Sequence, residues 1–538
     1  MSRIIFAILA CLSVFLFWIK TSYNLDQYLD VFFFDEAFYM SRGIYPSQLI
    51  NNAENGPLYS LWYSFLNFFE NDPVKLYFLN WKIMVLLPSI SLLFLLLCYN
   101  INVFIATFLS ITFMWADATV LQWPRVSNFC ISIIAIGIGI SNFKNNIYYK
   151  FFVFLSTALV ASYIRPEYFT SFTILGVGFI LFLIYTHKNI PLKVYYGLSL
   201  LVVTLLVLKF FYQLPMFEKN GYRSFIAFAQ YFAVYYFPLN HINLNPWTEW
   251  EPYFRQYFGD ANSISSAFVH NPKVFLEMTW FNISFFTNRF YLFMPDFIYP
   301  NRIFNLNLVL GNFLLYFILI YAAIFYFKKY NFLSHFDTFK TYKSTIVLVL
   351  TFVIPPLIAC IIYYPREHYM FLLTIPLILI FSLLFNGNIL GIFKNEWKNY
   401  GTFLLLFIGL FFLSPETKSY FSQNINQPNV ATVKAIRALN IGTKDVNILE
   451  QEGGIYAFLD YNIHPASLDS KNEPFNAFIQ NNKIEIIWIT PNVINHRLII
   501  NDTTFSNFIQ RPSLYDFNKI DIPNSTNYLL VNKLLIHN

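Results

Sequence analysis

The chain has 538 residues, of which 57% are hydrophobic, 21% are aromatic and only 12% are charged. Soluble proteins carry about 25% charged residues, so this composition excludes an ordinary soluble enzyme and indicates a polytopic α-helical membrane protein. Of the formal net charge of +6, residues 416–538 contribute −1 (10 basic and 11 acidic residues), so the rest of the chain carries +7. We attribute that excess to membrane topology rather than to nucleic-acid binding.

Eleven stretches are apolar and close to the roughly 20 residues that a helix needs to cross a bilayer. They lie at 4–23, 76–98, 101–122, 127–143, 150–165, 168–186, 193–212, 306–327, 344–363, 369–385 and 400–414. Arg3 precedes the first stretch and no small-residue cleavage site follows it, so we expect a retained helix rather than a cleaved signal. All four cysteines fall within or at the edge of these stretches, which argues against a disulfide framework or a zinc site. They are Cys11, Cys98, Cys130 and Cys360.

Lysines define the predicted orientation, because basic residues in short loops mark the cytoplasmic side. With a cytoplasmic N-terminus, that side receives Lys144, Lys150, Lys188, Lys193, Lys328, Lys329, Lys340, Lys343, Lys394 and Lys398, against only Asp337 and Glu396. The outer side then receives residues 24–75, the turns at Arg125, Arg165 and Arg366, the loop 213–305 and the tail 415–538. Guanidinium binds phosphate bidentately and keeps its proton, so lysine for topology and arginine for ligands is a consistent division.

The two long outer segments differ in character. The loop 213–305 is aromatic and contains seven prolines, which predicts short helices lying along the membrane surface. The tail 415–538 predicts a small α/β domain, with helical spacing over 430–440 and strands at 446–449, 484–490 and 528–531. Gly453-Gly454 predicts a tight turn into a helix, because the fuller glycine spacing of a nucleotide loop is absent. We expect residues 1–414 to form the transmembrane catalytic domain.

Asp35 and Glu36 stand side by side shortly after the first apolar stretch. Apolar surroundings penalise charge, so acids at the edge of a membrane helix are costly and are commonly functional. A carboxylate at the mouth of a membrane cavity can act as a general base that removes a proton from an attacking hydroxyl. The alternative is a helix end held by a capping contact or by a salt bridge between Asp35 and Arg42, and the residues alone leave both open.

Arg366 begins an Arg-Glu-His-Tyr run at a predicted outer helix start. It can stabilise the charge of a departing lipid phosphate, or it can be an interfacial anchor of the kind found at many helix ends. His368 and Tyr369 can add hydrogen bonds, although a lone histidine is more often structural than catalytic.

Two further outer arginines are candidate phosphate ligands. Arg165 and Glu167 flank a proline and can form a self-contained ion pair at a helix start. Arg125 can equally be an ordinary helix-end charge. Each signal is weak alone, and the common side of the membrane is the stronger argument.

Several kinds of chemistry have no motif here. The sequence contains no Ser-His-Asp order, no His-Glu-x-x-His and no glycine loop that cradles phosphate. We therefore expect a donor delivered within the bilayer rather than a soluble nucleotide. A divalent cation shared by Asp35, Glu36 and Glu167 stays open, because arginine alone can also balance a phosphate charge.

Taken together, these residues resemble the glycosyltransferase C (GT-C) superfamily, whose multispanning members use polyprenyl-phosphate sugars. The resemblance covers about residues 1–385, through short and degenerate motifs. The motifs are Asp35-Glu36, Gly43-Ile44-Tyr45-Pro46, Gly56-Pro57-Leu58-Tyr59, Tyr163-Ile164-Arg165-Pro166-Glu167, and Arg366-Glu367-His368-Tyr369 with Pro376. Bacterial members include lipid A aminoarabinose transferases and protein O-mannosyltransferases.

The resemblance implies a role for each matching residue. Asp35 would be the catalytic acid–base residue, Glu36 would orient the acceptor or assist a metal, and Arg366 would contact the donor phosphate. Arg165 and Arg125 would assist at the phosphate; the other substrate-binding candidates are Arg42, Tyr59, Glu167, His368 and Tyr369. The chain has Asn55-Gly56-Pro57-Leu58 where a Lys-Pro-Pro-Leu element is expected in the aminoarabinose transferases. Arg42 and Arg165 are candidates to replace that lysine.

The leading functional prediction is an inverting glycosyltransferase of a bacterial inner membrane, active on the periplasmic face. It would move a sugar from polyprenyl phosphate to a lipopolysaccharide, glycan or protein acceptor, with membrane lipids but no nucleic acid as partners. A lipid-linked glycan polymerase or ligase is the second hypothesis, since such enzymes place arginines around a diphosphate and need no early acid pair. A transporter of lipid-linked sugars ranks last, because that class predicts charges in helix middles and repeated halves.

Overall fold

The computed structural model describes residues 2–45, 56–121, 123–186, 192–215, 222–297 and 332–385, parts of 401–421, and 427–536 apart from 442–443, 460–462 and 524. The predicted span 306–327 lies outside the described residues, and 400–414 is described only in part. The topology lysines Lys188, Lys328, Lys329, Lys394 and Lys398 also lie outside them.

The first 385 residues are built from helices. In chain order they are α1 (Ser2–Ser22), α2 (Leu25–Tyr28), α3 (Asp35–Ile44), α4 (Pro57–Asn67), α5 (Pro73–Cys98), α6 (Val103–Trp115), α7 (Val126–Ser141), α8 (Ile147–Ser162), α9 (Phe169–Tyr185), α10 (Leu192–Tyr212), α11 (Tyr222–Leu239), α12 (Trp250–Phe258), α13 (Ile264–His270), α14 (Pro272–Asp296), α15 (Phe332–Ile362) and α16 (Glu367–Phe385).

Within the described residues, four helical segments are long and apolar enough to cross a membrane. They are Ile4–Tyr28, Pro73–Cys98, Pro166–Tyr185 and Tyr342–Ile362. Shorter apolar helices accompany them; α6, for example, ends at Trp115, well before the end of the predicted span 101–122. The chain is thus a helical protein with membrane-spanning character, and the arrangement of eleven spans stays a prediction.

Helix α5 is the centre of the bundle and packs against α1, α6 and α7. Its start is fixed locally, because the Asp72 carboxylate accepts a hydrogen bond from the Lys75 N–H at 3.0 Å and a proline follows at the first helical position. Two amide side chains of the α7 region tie the helices together. Asn128 Nδ2 donates to the Met84 carbonyl at 3.0 Å, and Asn142 Nδ2 donates to the Cys98 carbonyl at 2.8 Å. Such bonds satisfy polar groups that water cannot reach.

Lys150 is predicted to lie in a short loop, but the structure places it in a helix. Lys150 lies in the first turn of α8, is buried, and donates to Thr345 Oγ1 of α15 at 3.2 Å. It therefore contributes to packing between helices as well as to the charge of that end of the bundle.

In the region 213–305, α11 and α14 are longer than the short surface helices that the sequence predicts. The prediction is wrong for these two helices. These helices have 18 and 25 residues. The prolines did not divide them, since Pro272 occupies the first position of α14, where a proline is tolerated. The aromatic side chains of α11 and α12 form a local core around Phe228, Phe232 and Phe254. We call helices α11–α14 and the turns that connect them, residues 222–296, the roof.

The tail contains a five-stranded mixed sheet in the order β2-β1-β3-β5-β4. The strands are β1 (Val446–Leu449), β2 (Ile463–Ala466), β3 (Ile484–Ile489), β4 (Phe517–Asp521) and β5 (Tyr528–Asn532). Strand β1 is parallel to β2 and β3, whereas β5 is antiparallel to β3 and β4. The helices are α17 (Pro428–Arg437), α18 (Phe475–Asn481), α19 (Pro491–Ile494), α20 (Thr503–Gln510) and α21 (Lys533–Ile536). The three predicted strand segments coincide with β1, β3 and β5.

The tail is fastened to the segment between α2 and α3. The Asp30 carboxylate accepts hydrogen bonds from the backbone N–H groups of Asn429 and Val430 at 2.7 and 2.9 Å, and so caps α17 from outside that helix. The Phe33 ring packs edge-on against Phe458 and Trp488, with ring centroids 5.5 and 5.6 Å apart. One face of the sheet therefore shares its hydrophobic core with the helical part of the chain.

The turn before α4 touches the turn after α8. Gly56 has a positive φ of 56°, and the Leu58 N–H donates to the Tyr163 carbonyl at 3.2 Å. A Cβ atom at Gly56 would clash with the Ile164 carbonyl oxygen. Two of the sequence motifs that are far apart in the chain are thus in contact, and only glycine fits the position.

Replacing Gly56 by alanine therefore destabilises the protein. An alanine in the left-handed region costs about 1–2 kcal/mol, and the clash with the Ile164 carbonyl adds about 1–3 kcal/mol. Gly176→Ala is the control, because Gly176 lies within α9, has no positive φ, and its added Cβ would meet no atom within 4 Å. We expect a clearly larger drop in the thermal unfolding midpoint in detergent for Gly56→Ala. Equal midpoints for the two variants would contradict the contact.

Candidate functional site

The candidate site is built around the first turn of α3, which separates the two adjacent acids. Asp35 is exposed at the first helical position, whereas Glu36 is 4% exposed. Consecutive helical residues point about 100° apart, so one acid faces outward while the other enters the protein. The residue before them, Phe34, has φ 62° and ψ −131°.

Glu36 is held in a closed polar cluster. Its Oε1 accepts hydrogen bonds from the Tyr59 hydroxyl at 2.7 Å, from the Tyr63 hydroxyl, and from Asn80 Nδ2 at 3.2 Å. Burial raises the pKa of Glu36 to about 8, and the nearby Asp35 charge adds to this, while the tyrosine hydrogen bonds act in the opposite direction. This position suits a group that anchors α3 against α4 and α5. The predicted catalytic role of Glu36 stays a prediction.

Arg165 forms a close ion pair with Glu167 in the connection between α8 and α9. Its Nε lies 2.6 Å from Glu167 Oε1, and its Nη1 donates to Ser127 Oγ at 3.2 Å. The guanidinium carbon lies 5.2 Å from the centre of the Tyr369 ring. Burial acts to lower the pKa of Arg165, but the Glu167 carboxylate has the larger effect. The pKa is therefore raised above its ordinary value. The self-contained Arg165–Glu167 pair anticipated from the sequence is therefore present.

Arg125 is the second partly buried cation. Its Nη2 lies 3.6 Å from Glu367 Oε2, and its guanidinium lies 5.0 Å from the Trp123 ring centre. Burial lowers the pKa of Arg125, and the positive charges of Arg366 and Arg165 act in the same direction against Glu367. The three predicted phosphate ligands therefore lie within electrostatic range of one another.

Arg366 differs from the other two arginines. It is exposed, and its Nη1 donates to the Tyr231 hydroxyl of the roof at 2.8 Å. Its guanidinium also lies 5.5 Å from the Trp247 ring centre. Within the described part of the chain, it has no carboxylate partner at ion-pair distance. Of these three arginines, Arg366 is consequently the one whose charge is least balanced by the described residues.

Asp35 reaches the same neighbourhood through the roof. Tyr231, which bonds Arg366, lies within electrostatic range of both Asp35 and Arg165. His368 lies within electrostatic range of all three arginines. The charges of Asp35, Arg165 and Arg366 thus all act on the Tyr231 hydroxyl of α11, although these residues are far apart in the sequence.

Two other predicted substrate-binding residues lie elsewhere. Tyr59 is fully buried in the Glu36 cluster. Arg42 is 9% exposed, has its guanidinium 3.6 Å from the Phe38 ring centre, and lies within electrostatic range of Tyr456 in the tail. Both residues support the fold around α3 in this structure, and neither has the exposure of Asp35 or Arg366.

Sequence reasoning missed the aromatic residues around the cluster. Tyr231 and Trp247 belong to the roof, whose helices the sequence did not predict at their full length. Trp123 stacks on Phe32, with ring centroids 4.5 Å apart and planes 12° apart. Its signal was present, since Trp123 stands two residues before Arg125 and so reaches the same outer turn.

The described residues contain no group of three or more His, Cys, Asp or Glu side chains that could hold a metal ion. Glu167 is paired with Arg165, and Glu36 is enclosed by tyrosines. The suggested sharing of one divalent ion by Asp35, Glu36 and Glu167 thus gains no support from their positions.

Comparison of the chain with protein-family models, with curated proteins and with solved structures found no match. The resemblance to the glycosyltransferase C superfamily therefore rests on the motifs alone, and the site is interpreted from its own geometry.

The buried Glu36 makes stability depend on pH. The pKa of Glu36 is about 8 in the folded protein, whereas its ordinary value, taken for the unfolded chain, is 4.5. Between these two pH values the folded protein therefore holds a proton that the unfolded chain has lost. Stability contributed at this site therefore falls as pH rises from about 4.5 to about 8. In Glu36→Gln, which keeps an acceptor oxygen for the tyrosines, we expect the thermal midpoint to lose this part of its pH dependence.

The control for this experiment is Glu251→Gln, because Glu251 is exposed on α12. Thermal midpoints in detergent are measured from pH 5 to pH 9 for wild type and both variants. The control curve should run parallel to wild type. A Glu36→Gln curve that also runs parallel would show that Glu36 is not the buried acid described.

Proposed function

We propose that the chain is an inverting glycosyltransferase that uses a polyprenyl-phosphate sugar on the periplasmic face of a bacterial inner membrane. The observation that carries the proposal is that an exposed acid, Asp35, and an exposed arginine, Arg366, both act electrostatically on the same roof residue, Tyr231, to which Arg366 also donates a hydrogen bond. A base and an anion-stabilising cation are the two groups that transfer from a phosphate leaving group requires.

In the proposed reaction, the Asp35 carboxylate takes the proton of an acceptor hydroxyl. The acceptor oxygen attacks the anomeric carbon of the sugar from the side opposite to the phosphate. The bond between that carbon and the phosphate oxygen breaks, and the electron pair leaves with polyprenyl phosphate. Arg366 stabilises the developing phosphate charge, because guanidinium donors match phosphate oxygens in geometry and stay charged.

Arg125 and Arg165 have a different part in the proposed reaction. Each lies near a carboxylate, Glu367 and Glu167 respectively, so their orientation is set before a ligand arrives. They contribute positive potential behind Arg366, which favours an anionic leaving group without rearrangement at the moment of reaction. In the proposed reaction, hydrogen bonds to phosphate oxygens would come from His368, on which all three arginine charges act, and from Tyr369, whose ring centre lies 5.2 Å from the Arg165 guanidinium carbon.

The roof would limit the access of water to the reacting atoms. Tyr231 stacks on Tyr364 with planes 7° apart, and Asn282 Nδ2 of α14 donates to the carbonyls of Ile361 and Tyr363 at 3.0 and 3.1 Å. These contacts join α11 and α14 to the turn that carries Arg366. A covered site strengthens electrostatic interactions and reduces hydrolysis of the donor.

A polymerase or ligase of lipid-linked glycans is the second candidate, and the arginine cluster is the observation that favours it. Such an enzyme would use the three guanidinium groups around a diphosphate and would make no use of Asp35. The two proposals therefore differ in what they expect of a single acid.

Asp35→Asn removes the proposed base while keeping the size of the side chain. General-base catalysis typically contributes 10²–10⁴-fold, so we expect turnover to fall by at least about 100-fold. Arg366→Ala should also abolish turnover. Arg255→Ala, a change at an exposed arginine on α12, serves as the control. The measurement is lipid analysis of bacterial membranes carrying each variant, with accumulation of one polyprenyl-linked monosaccharide as the sign of lost transfer.

The outcomes separate the candidates. Loss in Asp35→Asn and Arg366→Ala, but not in Arg255→Ala, supports the glycosyltransferase. Full function in Asp35→Asn together with loss in Arg366→Ala refutes the proposed base and favours the polymerase or ligase.

A further inference from the structure

Phe34, which directly precedes Asp35, has a backbone conformation that is unusual for its residue type. Its φ of 62° and ψ of −131° lie in a region that only glycine adopts readily. Its ring is also 52% exposed. A phenylalanine keeps such a conformation only when neighbouring structure holds it there.

The tail supplies the neighbouring structure. The Phe34 N–H donates to the Gly453 carbonyl at 2.6 Å, and the Phe34 ring lies against Gly453, where an added Cβ would be 3.0 Å from ring carbon Cδ1. The next residue, Gly454, has a φ of 138° and lies very close to Ala37 of α3. A Cβ added at Gly454 would be 2.7 Å from the Ala37 Cβ. The turn 453–454 thus contacts the residue before Asp35 and the residue two positions after it.

The turn 453–454 is itself fixed within the tail. Oε1 of the buried Glu450 accepts a hydrogen bond from the Gly454 N–H at 2.8 Å. Glu450 directly follows β1, the strand that lies between β2 and β3. The position of the sheet is therefore transmitted through Glu450 and the two glycines to the start of α3.

We propose that the tail positions Asp35: the Gly453–Gly454 turn holds Phe34 in its strained conformation and thereby sets the direction of the Asp35 carboxylate toward the arginine cluster. The proposal rests on the proposed function only for the role of Asp35 itself. Gly453, Gly454 and Phe34 are positioning residues and touch no substrate. The tail is then a working part of the site and not only an acceptor-binding or stabilising appendage.

The test uses alanine substitutions at two glycines whose φ is positive, so that both substitutions strain the backbone. Gly453→Ala places an alanine at φ 65° and brings its Cβ against the Phe34 ring. Gly259→Ala places an alanine at φ 58° in the roof, where the nearest atom is 3.5 Å away. The two variants therefore differ mainly in whether they disturb Phe34.

The first readout is the kinetics of sugar transfer by the full-length protein. A misplacement of about 1 Å can reduce the rate about 100-fold, so we expect kcat of Gly453→Ala to fall at least about 10-fold with little change in KM. Gly259→Ala should keep the wild-type kcat. An unchanged kcat in Gly453→Ala would overturn the proposal.

The second readout does not require catalysis. A cysteine is placed at position 35 (Asp35→Cys), alone and together with each glycine substitution, and its alkylation by a membrane-impermeant charged reagent is timed. The protein with native Asp35 gives the background from the four native cysteines. We expect Gly453→Ala to change the alkylation rate at position 35 several-fold, and Gly259→Ala to leave it unchanged.

The two readouts distinguish failure of this inference from failure of the proposed function. If the alkylation rate changes but no variant or wild type transfers a sugar, the positioning stands and the glycosyltransferase does not. If sugar transfer is present and neither kcat nor the alkylation rate responds to Gly453→Ala, the positioning is wrong while the proposed function survives.

Discussion

The first turn of α3 is fixed from two sides, and the candidate site depends on that constraint. On the inner side, the Glu36 carboxyl group is enclosed by Tyr59, Tyr63 and Asn80. On the outer side, the Phe34 N–H is bonded to the tail at Gly453. Asp35 lies between these two attachments and remains exposed. A buried polar cluster tolerates little displacement, because an unmatched donor or acceptor inside a protein costs about 1–3 kcal/mol.

The second feature that organises the candidate site is its cluster of arginine charges. Three arginines converge from the turns before α7, after α8 and before α16, and two of them are matched by nearby carboxylates. Each charge pair reduces the repulsion that the cluster would otherwise produce. What remains is positive potential centred on Arg366, next to a hydroxyl of the roof. A site of this kind favours an anionic ligand.

Sequence patterns predicted those parts of the fold that depend on local regularity. Long apolar runs located α5 and α9, and runs of β-branched residues located the inner strands β1, β3 and β5. The two strands that escaped prediction, β2 and β4, are the edges of the sheet. Edge strands carry the residues that weaken a strand signal, namely His464 and Pro465 in β2 and alternating charges in β4.

The candidate site was predictable in its residue types but not in its contacts. Asp35 and the arginines stood out because charges near apolar runs are rare. The roles of Phe34, Tyr231 and Gly453 depend on segments that meet only in three dimensions, so no local pattern could reveal them. Glu36 illustrates the limit well, since its neighbour Asp35 is also an acid in nearly the same sequence context but has the opposite exposure.

The most direct test of the account measures the separation between Asp35 and Arg366. Spin labels on cysteines at positions 35 and 366, in protein reconstituted into lipid nanodiscs, give this distance from their dipolar coupling. The account predicts one short, narrow distance distribution, with both labels reached by an impermeant reductant from the same face. A separation near the bilayer thickness of about 30 Å, or labels reached from opposite faces, would contradict it.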